Sequence, residues 1–185
     1  MATRQDKARE DRIILDNVIR RDTMQLEPIG VIHTPFKEAT GTPIQPRSAQ
    51  GFRGTVEVFQ AFAAGLKDLE GFDRIWLIFW CDRASEPKLV TPTYLDKTPH
   101  GVFATRAPSR PNPIGLSCVK LIGIEGGILQ VEEIDILDGT PLLDIKPYSP
   151  HIDIYPVARS GWMDAAWSRK GADQVVADNR FYKSK

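Results

Sequence analysis

The chain has 185 residues, and 24 Lys and Arg balance 24 Asp and Glu, so its formal net charge is zero. That length suits one domain with an appendage and a real core, and the neutral balance argues against a general nucleic-acid coat protein while leaving room for a local basic patch. There is no long uncharged apolar run, no apolar signal core after the charged N-terminus, and only Cys81 and Cys118 as cysteines; a cytoplasmic protein without a membrane partner or disulfide framework is expected.

Residues 1–24 form a charged leader in which Ile14 and Val18, and Leu15 and Ile19, are spaced as an apolar stripe on a peripheral helix. Residues 26–33 read as the first strand of the domain proper. Residues 34–52 follow as a long loop punctuated by Pro35, Pro43 and Pro46, with Gln45, Arg47 and Ser48 as polar candidates. Residues 53–59 alternate as a half-buried strand. Residues 61–70 place Phe62, Leu66 and Leu69 at helical spacing, and Gly71 ends that short helix. Residues 75–80 (IWLIFW) are nearly all apolar, which predicts a strand buried on both faces. It runs out into the polar cluster Asp82, Arg83 and Ser85.

After a Pro- and Thr-containing loop over 86–100 comes residues 101–117, GVFATRAPSRPNPIGLS. Pro108, Pro111 and Pro113 stiffen it, and Arg106, Arg110 and Asn112 sit among them. A strand is expected to enter, break at this rigid turn and leave as another strand, so that charged side chains are held at low entropic cost. Residues 117–125 are a strand, Gly126-Gly127 a hairpin turn, and 128–136 the return. Asp138-Gly139 breaks that strand; 142–145 make one more, closed by Pro147 and Pro150, and 164–176 fit a helix. Strands follow strands without alternating helices. The fold class expected is therefore mainly β: an antiparallel barrel-like domain over 25–160, with a short internal helix, the leader over 1–24 and a helical tail over 161–185.

No dinucleotide or phosphate-loop glycine motif is present. His33, His100 and His151 share no ligand spacing, so no metal is expected. What stands out is a charge asymmetry. Residues 103–120 carry Arg106, Arg110 and Lys120 and no acid, whereas 130–144 carry Glu132, Glu133, Asp135, Asp138 and Asp144 and no base. Cross-strand ion pairing explains this as well as a pocket with arginines on one wall and carboxylates on the other. Such a pocket suits a zwitterionic ligand with hydroxyls, since carboxylates take an ammonium or ribose and an arginine takes a carboxylate or phosphate.

The phrase FATRAPSRPNPIGLS, followed by DGTPLLDIKPY, resembles the TsaA-like (TrmO) family, as do IGVIHTPFKE near the start and FDRIWLIF over 72–79. The resemblance spans roughly residues 27–157. It implies an S-adenosylmethionine-dependent methyltransferase on a β-barrel, acting on the exocyclic N6 of a modified adenosine beside the anticodon of a threonine tRNA, and a homodimer with the cofactor near the interface. The family's cofactor contacts fall on Gln45, Pro46, Arg47, Asp82, Arg83, Arg106, Leu116 and Asp135-Ile136-Leu137-Asp138. Many members carry a histidine where Asp82 stands.

An adenine amine is a poor nucleophile that becomes more cationic on attack, so the reaction wants an acceptor beside it. Asp138 and Asp144 are the acid candidates, Asn112 the amide that holds the amine, Tyr148 a stacking ring, Lys146 a phosphate contact and Arg110 a substrate contact. Two alternatives stay open: the same fold acting on another RNA or a small molecule, and a non-catalytic S-adenosylmethionine-binding module.

Overall fold

The computed structural model describes residues 25–169 and 171–183; the helix expected in the leader, and Lys170, lie outside the described residues. Eight strands are formed: β1 Gly30–His33, β2 Arg53–Val58, β3 Arg74–Trp80, β4 Val90–Thr91, β5 His100–Gly101, β6 Ile114–Glu125, β7 Ile128–Glu132 and β8 Thr140–Pro147. Six of them close into a barrel in the order β1-β2-β7-β6-β3-β8, and β4-β5 form a separate two-stranded sheet. Every pairing in the barrel is antiparallel. Closure leaves no strand edge exposed in the ring.

Period-two patterning fills the interior. Ile32, Val56, Ile75, Leu77, Val119, Leu129, Val131 and Leu142 are all essentially inaccessible and form one core cluster. The β6–β7 hairpin turns at Gly126 and Gly127, with φ of 55° and 86°, a left-handed pair for which glycine carries no Cβ penalty.

Several expectations change; β1 starts only at Gly30 and β7 stops at Glu132, short of the expected 136. β3 is buried on one face only: Ile75 and Leu77 point inward, while Trp76, Ile78 and Phe79 are half-buried and Trp80 is 46% exposed. An all-apolar run cannot by itself separate a doubly buried strand from one whose outer face carries surface aromatics. The segment after β2 is two 3-10 turns, Gln60–Leu66 and Leu69–Gly71, and only Leu69 of these is buried. With so little to bury, the spacing of Phe62 and Leu66 gains no α-helical stripe. No long strand leads into the proline-rich stretch; β5 has two residues and passes into a 3-10 turn at Val102–Ala104. β8 runs through Pro141 and up to Pro147 and is twice the expected length.

The last change is at the tail. Beyond the short helix α1 (Pro150–Asp153), the tail's helix α2 spans only Trp162–Trp167. Gly171, at φ 82°, turns the chain into a 3-10 segment at Ala172–Gln174, so the helix does not reach Val176.

Candidate active site

One end of the barrel carries a cavity of about 990 Å³. Four segments of the barrel domain meet there: the early loop at Gln45, the exit of β3 at Cys81, Asp82 and Arg83, the proline-rich stretch with Arg106, Arg110, Asn112 and Leu116, and the acidic loop after β7 with Asp135, Ile136 and Leu137. Each is placed by specific bonds. Cys81 N–H donates to Pro113 O at 2.7 Å, which ties the β3 exit to the proline turn. Arg110 donates to Thr105 O at 3.2 Å, and Arg106 donates to Gln45 Oε1 at 2.7 Å across the cavity mouth. Arg83 donates to Asp138 O at 2.8 Å and lies 3.8 Å from the Asp82 carboxylate.

The acidic loop is tied to the segment after β1. Thr34 Oγ1 donates to Ile136 O at 2.8 Å, and Asp138 N–H donates to Phe36 O at 2.7 Å. Within that frame the Asp135 carboxyl is the acid with a buried oxygen. Its Oδ1 is buried and has no hydrogen-bond partner among the described residues. Burial pushes its pKa up to about 7, against the opposing pull of Ser117 and Arg106. Cys81 beside it is pushed up to about 12, chiefly by burial, so its thiol stays protonated and is no nucleophile.

The structure brings together Gln45, Asp82, Arg83, Arg106, Arg110, Asn112, Leu116, Asp135, Ile136 and Leu137 around the cavity. Pro46 and Arg47 line a smaller groove of about 350 Å³ that shares Gln45 and Arg106 with it. Four of the proposed residues lie elsewhere. The Asp138 carboxylate accepts from Thr34 N–H at 2.9 Å and from Lys37 Nζ at 2.5 Å, so it clamps the loop instead of facing the cavity. Those bonds hold its pKa below the usual carboxylate range, Lys37 contributing most. Asp144 pairs with Lys146 at 2.8 Å on an open strand face. Tyr148 packs against Trp76, ring centroids 6.0 Å apart. Asp144 and Lys146 of β8, and Tyr148 just past its end, therefore lie away from the cavity, and of the predicted acids it is Asp82 and Asp135 that line it.

Ion pairing between the two charged stretches also fails to appear. Glu132 pairs with Arg53 at 3.2 Å and Glu133 with Arg74 at 2.6 Å, bases supplied by β2 and β3. What the sequence did not flag is a fifth wall. Trp162, Met163, Trp167, Phe181 and Tyr182, all from the C-terminal segment, line the same cavity, as does Tyr94. The tail's tryptophans were its one visible signal. Among the described residues no group of three or more His, Cys, Asp or Glu is placed to hold a metal ion.

Comparison with known proteins bears on this geometry. Residues 31–154 match the family model of the tRNA-methyltransferase O N-terminal domain. A probable S-adenosyl-L-methionine-binding protein of Pyrococcus abyssi is 53% identical over 155 residues, 84% of this chain and 83% of that protein. The tRNA (adenine(37)-N6)-methyltransferase of Escherichia coli is 34% identical over 166 residues, 84% of this chain and 71% of the enzyme. A crystal structure of TrmO from Pseudomonas aeruginosa superposes with a TM-score of 0.64 at 43% identity, covering 76% of this chain and 63% of that one. The chain therefore spans less than two thirds of the Pseudomonas protein's length.

Proposed function

Because the chain belongs to the TrmO family, whose N-terminal domain it matches from residue 31 to 154, we propose that it is an S-adenosyl-L-methionine-dependent methyltransferase acting on the exocyclic N6 of an adenosine beside the anticodon of a tRNA, the threonine tRNA being the first candidate. The observation that carries this reading is the pairing, in one cavity, of three arginines with a buried carboxyl whose oxygen has no partner among the described residues. An unsatisfied buried acceptor is costly, of order 1–3 kcal/mol, and such groups cluster where a ligand supplies the missing donor. The donor set fits the cofactor. Arg106 and Arg83 offer guanidinium N–H groups to a carboxylate, Asp82 offers a carboxylate to an ammonium, and Gln45, Leu116, Ile136 and Leu137 supply the remaining wall.

When bound, S-adenosyl-L-methionine supplies a methyl group already activated by its sulfonium. The protein's part is alignment and proton handling. Asn112, exposed at the mouth, holds the target amine through its side-chain oxygen, and Arg110 meets the substrate beside it. Methylation of the amine releases a proton, and Asp135 takes it. A carboxyl poised near 7 is well matched to that task at neutral pH.

A homodimer is part of the proposal. Trp80, Ile114 and Leu116 lie on adjacent strands at 46%, 40% and 44% exposure, in register Trp80 with Ile114 and Ile78 with Leu116, and because Ile114 and Leu116 also line the cavity this patch borders it. The exposed Ile152 and Tyr155 follow nearby, since Asp153 of α1 accepts from Trp76 of the same face at 3.2 Å. An apolar patch of this kind marks an association surface, and a monomer by light scattering at micromolar concentration would overturn the assignment.

The test of activity is twofold. Titration calorimetry with S-adenosyl-L-methionine should give a single site per chain, and incubation with unmodified-at-N6 tRNA should yield N6-methylated adenosine by nucleoside mass spectrometry. Binding without transfer to any RNA would leave a cofactor-binding module, the description that the Pyrococcus relative carries.

A further inference from the structure

The match to the family model ends at residue 154, yet one wall of the cavity is made by residues 162–182. That segment is docked by its own small and buried residues: Ala166, Ala172, Ala177 and Phe181 are 1%, 6%, 6% and 2% exposed. Backbone bridges join Pro43 to Val176 and Ala84 to Tyr182. Ser85 N–H and Ser109 Oγ–H both donate to Phe181 O, at 2.8 and 2.9 Å. Docking therefore does not consume the two tryptophans of α2, which are only half-buried and open onto the cavity. Trp162 is nevertheless fixed. Its indole N–H donates to Ala104 O at 2.8 Å, and one face stacks on His100, centroids 4.3 Å apart and planes 14° from parallel.

Two ligands must meet in this cavity if a methyl group is to pass between them. Its volume of about 990 Å³ is at the upper end of the roughly 300–1,000 Å³ that suits one small ligand. The groups that fit the cofactor, among them Arg106, Arg83 and Asp82, belong to the barrel loops and not to the tail. An aromatic wall in the same cavity is the kind of surface on which an unstacked base is held in single-stranded RNA recognition and in base-flipping enzymes. We propose that Trp162 and Trp167 form a stacking wall for the target nucleobase, so that the segment beyond the matched residues decides which base the cavity accepts. The proposal rests on the methyl-transfer reading for the identity of its ligand.

The test uses the full chain saturated with S-adenosyl-L-homocysteine and an RNA stem-loop carrying 2-aminopurine at the target loop position. Stacking on tryptophan quenches 2-aminopurine fluorescence. Base–aromatic stacking lost on alanine substitution is worth about 1–3 kcal/mol, so Trp167→Ala should abolish the quench and weaken RNA binding by roughly five- to a hundredfold. Affinity for S-adenosyl-L-homocysteine, read by calorimetry, should stay within about twofold, and Trp167→Tyr should restore the quench. Trp162→Phe, which keeps a ring over His100, should reduce quenching without changing the melting temperature by more than a few degrees. Quenching by Trp167→Ala equal to wild type overturns the proposal, and so does a selective loss of S-adenosyl-L-homocysteine binding, which would place the tail in the cofactor half. Wild-type quenching in a protein that methylates no RNA would sink the methyl-transfer reading and leave the stacking wall standing.

Discussion

The substitution Asp135→Asn tests the acid at the heart of the site through stability as well as activity. A carboxyl that ordinarily titrates near 3.8 and is pushed up to about 7 in the folded chain holds its proton more tightly when folded by about 4 kcal/mol at most. The residue is only partly enclosed at the cavity wall, so solvent reduces the effect to about 2–4 kcal/mol. The sign follows from proton counting. Between roughly pH 4 and pH 7 the folded state binds more protons at this site than the unfolded state, so wild-type stability falls as pH rises through that window and levels off above it. A neutral amide at the same position has no such dependence. The variant should therefore melt near the wild-type temperature at pH 4.5 and roughly 5–10 °C above it at pH 8, at about 2–4 °C per kcal/mol for a chain of this size. Paired thermal melts across pH read this directly. Methyl transfer should meanwhile fall by roughly 10²–10⁴-fold, and the wild-type rise in turnover through about pH 7 should vanish. A melting difference that is constant from pH 4.5 to 8 would refute the assignment of a carboxyl at Asp135 whose pKa is raised by burial.

Arg106→Ala should weaken S-adenosyl-L-methionine binding by roughly ten- to a hundredfold in calorimetry, the cost of one charge-assisted contact of about 1.5–3 kcal/mol, with melting unchanged because its partner Gln45 is also at the cavity mouth. Asp138→Ala should do the reverse: cofactor affinity within about twofold, and stability lower by about 1–3 kcal/mol at pH 7 through loss of the Thr34 and Lys37 bonds. Because its pKa is depressed when folded, that stability is fully present above the ordinary carboxylate value and is lost as pH falls below it through the lower folded value, so the difference from wild type should begin to narrow at about pH 4 and close only at more acid pH. Gly115→Ala should destabilise by about 1–3 kcal/mol in urea, since a Cβ there would overlap the Phe79 ring that lies opposite it in the β3–β6 register. Phe79→Leu in the Gly115→Ala background should recover part of the loss; no recovery would mean that the backbone, not the ring, is the obstacle.

Much of the barrel is legible from residues alone. Val56 and Val58 alternate into the core, and the double glycine at 126 and 127 sits at the hairpin that separates the basic stretch from the acidic one. The arginine-bearing proline turn and the acidic loop do meet at one cavity, as opposite charge in two stiff segments suggests. What local pattern cannot carry is which of several acids faces inward. Asp135 and Asp138 are three positions apart in an irregular loop, where neither a period of two nor one of 3.6 applies, and only the bonds to Thr34 and Lys37 decide that Asp138 turns away. The apolar run of β3 hid its exposed face for a related reason: hydrophobicity alone does not separate an exposed apolar face from a core. The aromatic wall of the tail was illegible because its contacts, such as Trp162 with Ala104, span more than fifty residues of sequence.

The ring order of the strands also bears on how fast this chain reaches its native state. The seam that closes the barrel pairs Ile32 with Thr140, residues more than a hundred positions apart, and β3 waits for partners, β6 and β8, that are both made later in the chain. Lengthening a loop adds only slowly to its closure entropy, so the seam costs little at equilibrium. It costs time instead: a barrel built mainly from such distant pairings folds over about milliseconds to seconds, not microseconds. Until that seam shuts, β1 and β8 each present an unpaired edge to other chains, and the interval before closure is when this protein is most open to misassembly.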